Sequence, residues 1–150
     1  IVGCDEKDFY FAKKILLNFC KKVVYFGPIG IGAKTKLINN FLSLGTTTFV
    51  IETLKIANKL GIDLNKLNKV AKLGSGNSVA FNRIIDKAIV NDYKSYIFSV
   101  NNTVKDLTYI NEFLNEIPDA QKLSSVIKSI YEEAKEKGFG DLLISELIKK

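Results

Sequence analysis

The sequence predicts a mainly α protein, a helical domain with a long central helix preceded by a strand, helix, strand unit from the edge of an α/β sheet. Three observations predict it. Val23–Phe26 is a short β-branched and aromatic run ended by Gly27-Pro28. After Pro28 no segment alternates with period two for long enough to pair as a strand. From about Gly30 to Leu60 the apolar residues recur at helical spacing instead.

The elements follow in order. Ile1–Val2 reads as the tail of a strand that Gly3 ends, and Asp5 as the N-cap of a helix from Glu6 to about Cys20. Phe9, Ala12, Ile15, Leu16 and Phe19 share one face of that helix, and Lys21 and Lys22 close it. "VVYF" at Val23–Phe26, ended by Gly27-Pro28, is a buried strand. The long helix Gly30–Leu60 stops at Gly61 in the position after the cap, and Asp63 caps the next, which reaches Leu73 before the loop "GSGNS". Ser78 or Val79 opens a helix to about Asn91, "NDYKSY" is a loop, and a helix from near Ser99 to Glu116 is broken by Pro118. Helices Asp119–Lys137 and Leu142–Ile148, separated by "GFGD", complete the chain.

Composition excludes several classes. With 150 residues, 47% hydrophobic and 25% charged, the chain is neither disordered, collagenous nor a coiled coil. It is long enough for one core, since folding at this length buries roughly 68–70% of the extended surface. Cys4 and Cys20 are too few for a disulfide scaffold or a zinc site, and the absence of histidine removes metal and Ser-His-Asp chemistry. No run approaches the ~18–20 apolar residues of a membrane span, and no signal-peptide pattern opens the chain. A cytoplasmic, reducing setting with no membrane partner is therefore expected. The net charge of +6 suits nucleic acid or an anionic ligand, but the single arginine and the scattered lysines argue against nucleic acid. Opening "IVGCDEKDF", with no methionine anywhere, the chain is expected to be a fragment or trimmed domain.

The long helix carries the chemistry. At 100° per residue Lys36, Asn39, Asn40, Ser43 and Thr47 fall within about 60° of one line, while Leu37, Ile38, Phe41, Leu42, Phe49 and Val50 take most of the remaining surface. A helix apolar on most sides is normally buried, so a polar stripe on it is expected to face an enclosed polar ligand. The stripe is about 16 Å long at 1.5 Å per residue, the scale of a small molecule. The alternative is a solvated face. Two adjacent Asn, poor helix-interior residues, favour the ligand reading. Gly30 and Gly32 follow a strand at a helix start, where bare backbone approaches a ligand and free N–H groups favour anions. As a phosphate loop the segment is degenerate: Lys34 falls one residue late after Gly27–Gly32, and Thr35 occupies the third glycine position of G-x-G-x-x-G.

The run Gly30, Gly32, Lys36, Asn39, Asn40 reads G-x-G-x-x-x-K-x-x-N-N and resembles the signature of the β-hydroxyacid dehydrogenases, the 3-hydroxyisobutyrate dehydrogenase family. "VGCDEKDFYFAKKIL…KKVVYFGP" resembles the last unit of that family's nucleotide-binding domain, and "KLGSGNSVAFNR" its glycine-serine-glycine loop. Phe98, Lys105, Asp106 and Leu107 resemble its F-x(6)-K-D-L motif. "GFGDLLISEL" matches its closing G-x-G-D-x-D-x-S, except that Leu143 stands where an Asp is usual.

The resemblance implies that residues 1–29 are the C-terminal edge of a truncated NAD(P)-binding Rossmann domain. Residues 30–150 then form an all-helical substrate and dimerisation domain, similar to the C-terminal domain of 6-phosphogluconate dehydrogenase. It implies NAD- or NADP-dependent interconversion of a small 3-hydroxy acid and its semialdehyde, with the main cofactor site in the missing domain. Lys36 would be the catalytic lysine and Asn40 its catalytic companion, with Asn39 and Gly32 binding substrate and Lys105 and Phe98 binding cofactor. An ammonium that ordinarily titrates near 10.4 becomes a base near neutrality only where its neutral form is favoured, as by desolvation. Asn39-Asn40 favours small-acid dehydrogenases over 6-phosphogluconate dehydrogenase, whose motif has His then Asn. Hydroxyisobutyrate, tartronate semialdehyde, glyoxylate and succinic semialdehyde stay open as substrates. Ser75 and Gly76 border a cleft or simply make a turn. The chain alone is expected to be inactive. An alternative is an association module in a homo-oligomer, with Leu142, Leu143, Ile144, Leu147 and Ile148 as its apolar face.

Overall fold

The computed structural model describes residues 1–150, which divide into two units, Ile1–Phe41 and Leu42–Lys150. In the first, strands β1 (Val2–Gly3) and β2 (Tyr25–Gly27) pair in parallel, joined by helix α1 (Glu6–Leu16). The pairing is anchored where Val2 N–H donates to Val24 (2.9 Å) and Cys4 N–H to Gly27 (3.1 Å). Both strands sit later than their β propensity suggests, because only these positions have a partner across the ladder. Asp5 occupies the N-cap with extended backbone, but its side chain makes no cap bond.

Helix α1 ends at Leu16, not Cys20. The Asn18 amide donates to the Lys14 and Ile15 carbonyls (3.2 and 2.9 Å), and the Asn18 and Phe19 N–H groups take partners three residues back. This local competition tightens the chain into a turn. The expected apolar face is correspondingly incomplete. Phe9, Ala12 and Leu16 are half-buried, with the Phe9 ring 4.9 Å from that of Tyr25, but Ile15 and Phe19 are exposed.

Helix α2 (Ile31–Lys59) begins in the first unit and ends in the second. Its end is set by Gly61, which adopts φ +69°. There Ile62 N–H reaches back to Ala57 (2.9 Å) and Gly61 N–H to Asn58 (3.2 Å), the double closure that a left-handed residue after the cap allows. Asp63 then caps α3 (Leu64–Ala71), accepting from Asn65 and Lys66 N–H. Ser78 caps α4 (Val79–Ala88) and Ser99 caps α5 (Val100–Phe113), each accepting a backbone N–H three residues on.

The later boundaries correct the expectations. Pro118 opens α6 (Pro118–Ala134), where its missing N–H costs nothing, rather than breaking the helix before it. Helix α6 passes into a π turn at Lys135–Phe139, kinked within it at Gly138, which adopts φ +84°. The last segment, Ile144–Lys149, is 3₁₀ rather than α, since it is too short to establish α-helical ladders.

The core of the second unit joins Leu44, Ile51 and Leu54 of α2, Ile84 and Ile85 of α4, Val100, Leu107 and Ile110 of α5, and Ile127 and Tyr131 of α6. Ile144, Leu147 and Ile148 complete it, so the C-terminal apolar face expected to pack between subunits is spent inside. Helix α2 is likewise not wrapped on most sides: Leu42 and Phe49 are 70% and 68% exposed, and Ile38 and Ile56 are exposed too. No helix is long and apolar enough to cross a membrane.

Candidate functional site

In the first unit Gly30 adopts φ +92°, and the bonds Ile31 N–H to Pro28 (3.2 Å) and Lys34 N–H to Gly30 (3.1 Å) start α2. Gly32 is buried against Gly3. A Cβ on either residue would stand 2.6 Å from the other's backbone nitrogen, closer than real atoms approach. The bare backbone of Gly32 therefore seats the start of the helix on β1. Lys36 and Asn39 are exposed and Asn40 is half-buried. Lys36 and Asn40, four apart on one helix, are surface neighbours, so an ammonium and an amide are presented side by side. Such a pair is suited to move a proton at one ligand oxygen and orient it from the next turn.

In the second unit the polar line divides. Ser43 is exposed, its Oγ 3.0 Å from the Tyr96 phenol, whereas Thr47 is fully buried. Thr48, one step round, donates to the Leu44 carbonyl (2.7 Å) and lies 2.8 Å from the buried Tyr131 hydroxyl. Burial pushes the Tyr131 phenol well above its ordinary value, and its hydrogen bond with Thr48 offsets part of that. These hydroxyls belong to the core and not to a ligand.

Phe98 does not share a helix face with Lys105, because α5 begins only at Val100. It lies half-buried in the extended entry to the helix, its N–H donating to Tyr96 (2.8 Å) and its carbonyl accepting from Ile144 (2.9 Å). Lys105 is exposed on α5 with Nζ 3.3 Å from Asp106, whose carboxylate is buried. The closing segment clamps this helix start: Val100 N–H donates to Leu142, Asn101 N–H to Gly140, and the Asn101 amide to Asp141 (3.0 Å). A Cβ on Gly140 would stand 2.7 Å from the Asn101 side chain. At Leu143, which has no side-chain acceptor, the Glu146 carboxylate takes the Leu143 N–H instead (2.9 Å). Ser75 and Gly76 are exposed in a turn.

Sequence reasoning missed Asp106, Tyr96 and the Asn101–Asp141 pair. The K-D-L motif pointed to Asp106. Nothing local pointed to Tyr96, whose partner Ser43 is 53 residues away.

Comparison with known proteins supplies the context. Residues 30–150 match the family model described as NAD-binding of NADP-dependent 3-hydroxyisobutyrate dehydrogenase. The L-threonate dehydrogenase of Haemophilus influenzae is 29% identical over 97% of this chain and 48% of its own length. The mitochondrial 3-hydroxyisobutyrate dehydrogenase of Bos taurus is 32% identical over 51% of this chain and 23% of its own. A Mycobacterium tuberculosis 3-hydroxyisobutyrate dehydrogenase solved with L-serine superposes with a TM-score of 0.82 at 25% identity, covering 98% of this chain and 52% of that one. The Salmonella typhimurium 3-hydroxyisobutyrate dehydrogenase shares the fold, with a TM-score of 0.81 at 24% identity over 96% of this chain and 50% of that one. The chain thus spans about half the length of the relatives that it matches nearly end to end.

Proposed function

The chain belongs to the 3-hydroxyisobutyrate dehydrogenase family, and from that membership we propose that it is the helical part of an NAD(P)-dependent oxidoreductase acting on a small 3-hydroxy acid. In this reading residues 30–150 form the substrate domain, and residues 1–29 close the edge of a nucleotide-binding domain. The parallel strand, helix, strand of the first unit supports the second assignment.

The observation that carries the reading is the Lys36–Asn40 pair on α2, inside the stretch matched by the family model. Lys36 takes the proton of the substrate hydroxyl as the carbonyl forms, and returns it in the reverse direction. Asn40 and Asn39 orient the acid, while Gly32 seats the helix that carries them. A nicotinamide cofactor supplies the hydride acceptor or donor. The donor set fits such a group: Lys105 is an exposed cation steadied by the buried Asp106 carboxylate, suited to the cofactor's anionic groups. Phe98 offers a half-buried aromatic face at the entry to the same helix.

Lys36→Ala in the full-length enzyme is expected to lower kcat by about 10²–10⁴ while leaving the cofactor dissociation constant unchanged. Wild-type turnover in that variant refutes the lysine's role. The 150-residue chain by itself is expected to show no micromolar affinity for NAD or NADP by calorimetry.

A second reading, subunit association through the helical domain, is supported by the outward row Leu42, Phe49 and Ile56 on α2. It predicts a dimer or larger species on a sizing column. Monomer at every concentration removes it.

A further inference from the structure

The last turns of α2 and the closing segment border one surface cavity of about 630 Å³, lined by Lys55, Asn58 and Lys59 of α2 and by Tyr93, Ile148 and Lys149 from farther along the chain. All six belong to the second unit. A cavity of this size lies within the range of small-molecule sites, about 300–1,000 Å³.

Its charge is mostly of one sign. Lys55 is half-buried and has a counter-charge in Glu52, 2.8 Å from its Nζ. Lys59 and Lys149 enter none of the chain's ion pairs. The neighbouring carboxylates are engaged elsewhere: Glu146 accepts the Leu143 N–H (2.9 Å), and Asp92 lies 3.7 Å from Lys87. Lys149 rests on the Tyr93 ring instead, with Nζ 4.5 Å from the centroid. That contact places the ammonium without neutralising it. The negative end of the α2 dipole accounts for Lys59, in the last turn of the helix, but not for Lys149, which arrives from the closing segment. The Asn58 amide and the Tyr93 hydroxyl make no hydrogen bond within the chain, so their donors are open as well.

We propose that this cavity binds a polyphosphate, free or as the phosphate chain of a nucleotide, an inference that goes beyond the dehydrogenase reading and does not depend on it. Gathered ammonium groups repel one another, and a polyanion seated among them replaces that repulsion with attraction. Lysine is a mobile point charge that meets phosphate from several directions, whereas planar two-point pairing with a carboxylate is a property of arginine. Cations arriving from separate elements suit several anionic groups on one ligand better than a single one. Asn58 and Tyr93 add neutral donors.

Titrating the protein with tripolyphosphate in low salt is expected to move the backbone ¹⁵N–¹H resonances of Lys59, Tyr93 and Lys149 saturably, and inorganic phosphate is expected to bind much more weakly. Lys59→Gln and Lys149→Gln are each expected to weaken the apparent Kd severalfold. Lys69→Gln, which removes the same charge from an exposed and unpaired lysine of α3, is expected to leave it unchanged. No saturable movement at tens of millimolar tripolyphosphate overturns the proposal. So does an equal loss in all three variants, which would mark attraction to the net charge of +6 alone.

ATP measured alongside separates the two sources. Affinity equal to that of tripolyphosphate supports a site for the phosphate chain alone, and tighter binding that Tyr93→Leu returns to the tripolyphosphate level supports a nucleotide. A DNA duplex that moves the same resonances at lower concentration than either overturns a small-ligand site.

Discussion

Tyr131 and Thr48 share one buried hydrogen bond, yet removing one partner is not equivalent to removing the other. Thr48 keeps its bond to the Leu44 carbonyl when Tyr131 becomes Phe, so Tyr131→Phe is expected to cost about 0.5–1.5 kcal/mol. Thr48→Val leaves a fully buried phenol without a partner and is expected to cost about 1–3 kcal/mol. Urea denaturation that ranks the two in the opposite order contradicts this picture. Asp63 makes a different prediction. Backbone N–H groups of Asn65 and Lys66 hold its carboxyl below the ordinary carboxylate range. A lowered folded value means that its contribution is complete above the unfolded value of about 3.9 and is lost as pH falls through the folded one. The melting-temperature gap between wild type and Asp63→Ala should therefore be constant near neutrality and narrow in acid. A gap that persists at low pH would show that the charge plays no part.

At the scale of elements, α2 presents two apolar sides of unequal worth. Leu54 is completely buried, and Phe49, five residues earlier, is mostly in solvent. Leu54→Ala is expected to lower the unfolding free energy by about 2–5 kcal/mol through lost burial and a residual cavity. Phe49→Ser, by contrast, is expected to change it by no more than about 0.5 kcal/mol in the isolated chain. Similar effects in chemical denaturation would mean that the buried face is wrongly assigned. The start of α5 offers a second case. Gly140 lacks a side chain because the Asn101 amide fills that space, and the same amide reaches Asp141. Gly140→Ala has to push the clamp apart. Amide exchange at Val100 and Asn101, whose N–H groups donate to the closing segment, is expected to accelerate in the variant more than at Ile110.

At the scale of the molecule, the two units hold unequal amounts of core. Helix α1 contains no buried residue, and Tyr10 and Phe19 are each 82% exposed, whereas the second unit buries side chains from four of its helices. Burial of apolar surface is the main force opposing chain entropy, so opening free energies should follow it. Native-state hydrogen exchange is expected to find α1, β1 and β2 nearly unprotected in this chain while Leu107, Ile110 and Ile127 exchange only on global unfolding. Equal protection in both units would refute the inequality. Much of this architecture was legible in the residues themselves. Gly61, Asp63, Ser78 and Ser99 mark helix ends through bonds to neighbours within a few positions, and the lysine-asparagine signature on α2 points to the family through residue types alone. Local chemistry could not reveal which sides of α2 are covered, or that Thr47 turns into the core while Ser43 meets Tyr96. Those outcomes depend on side chains far apart in the sequence. The sequence by itself determined the elements, their caps and the family signature, because each is specified over a turn or two of chain. Tertiary structure alone decided that Thr48 meets Tyr131 and that Gly32 is pressed against Gly3, because such contacts exist only once distant segments have packed.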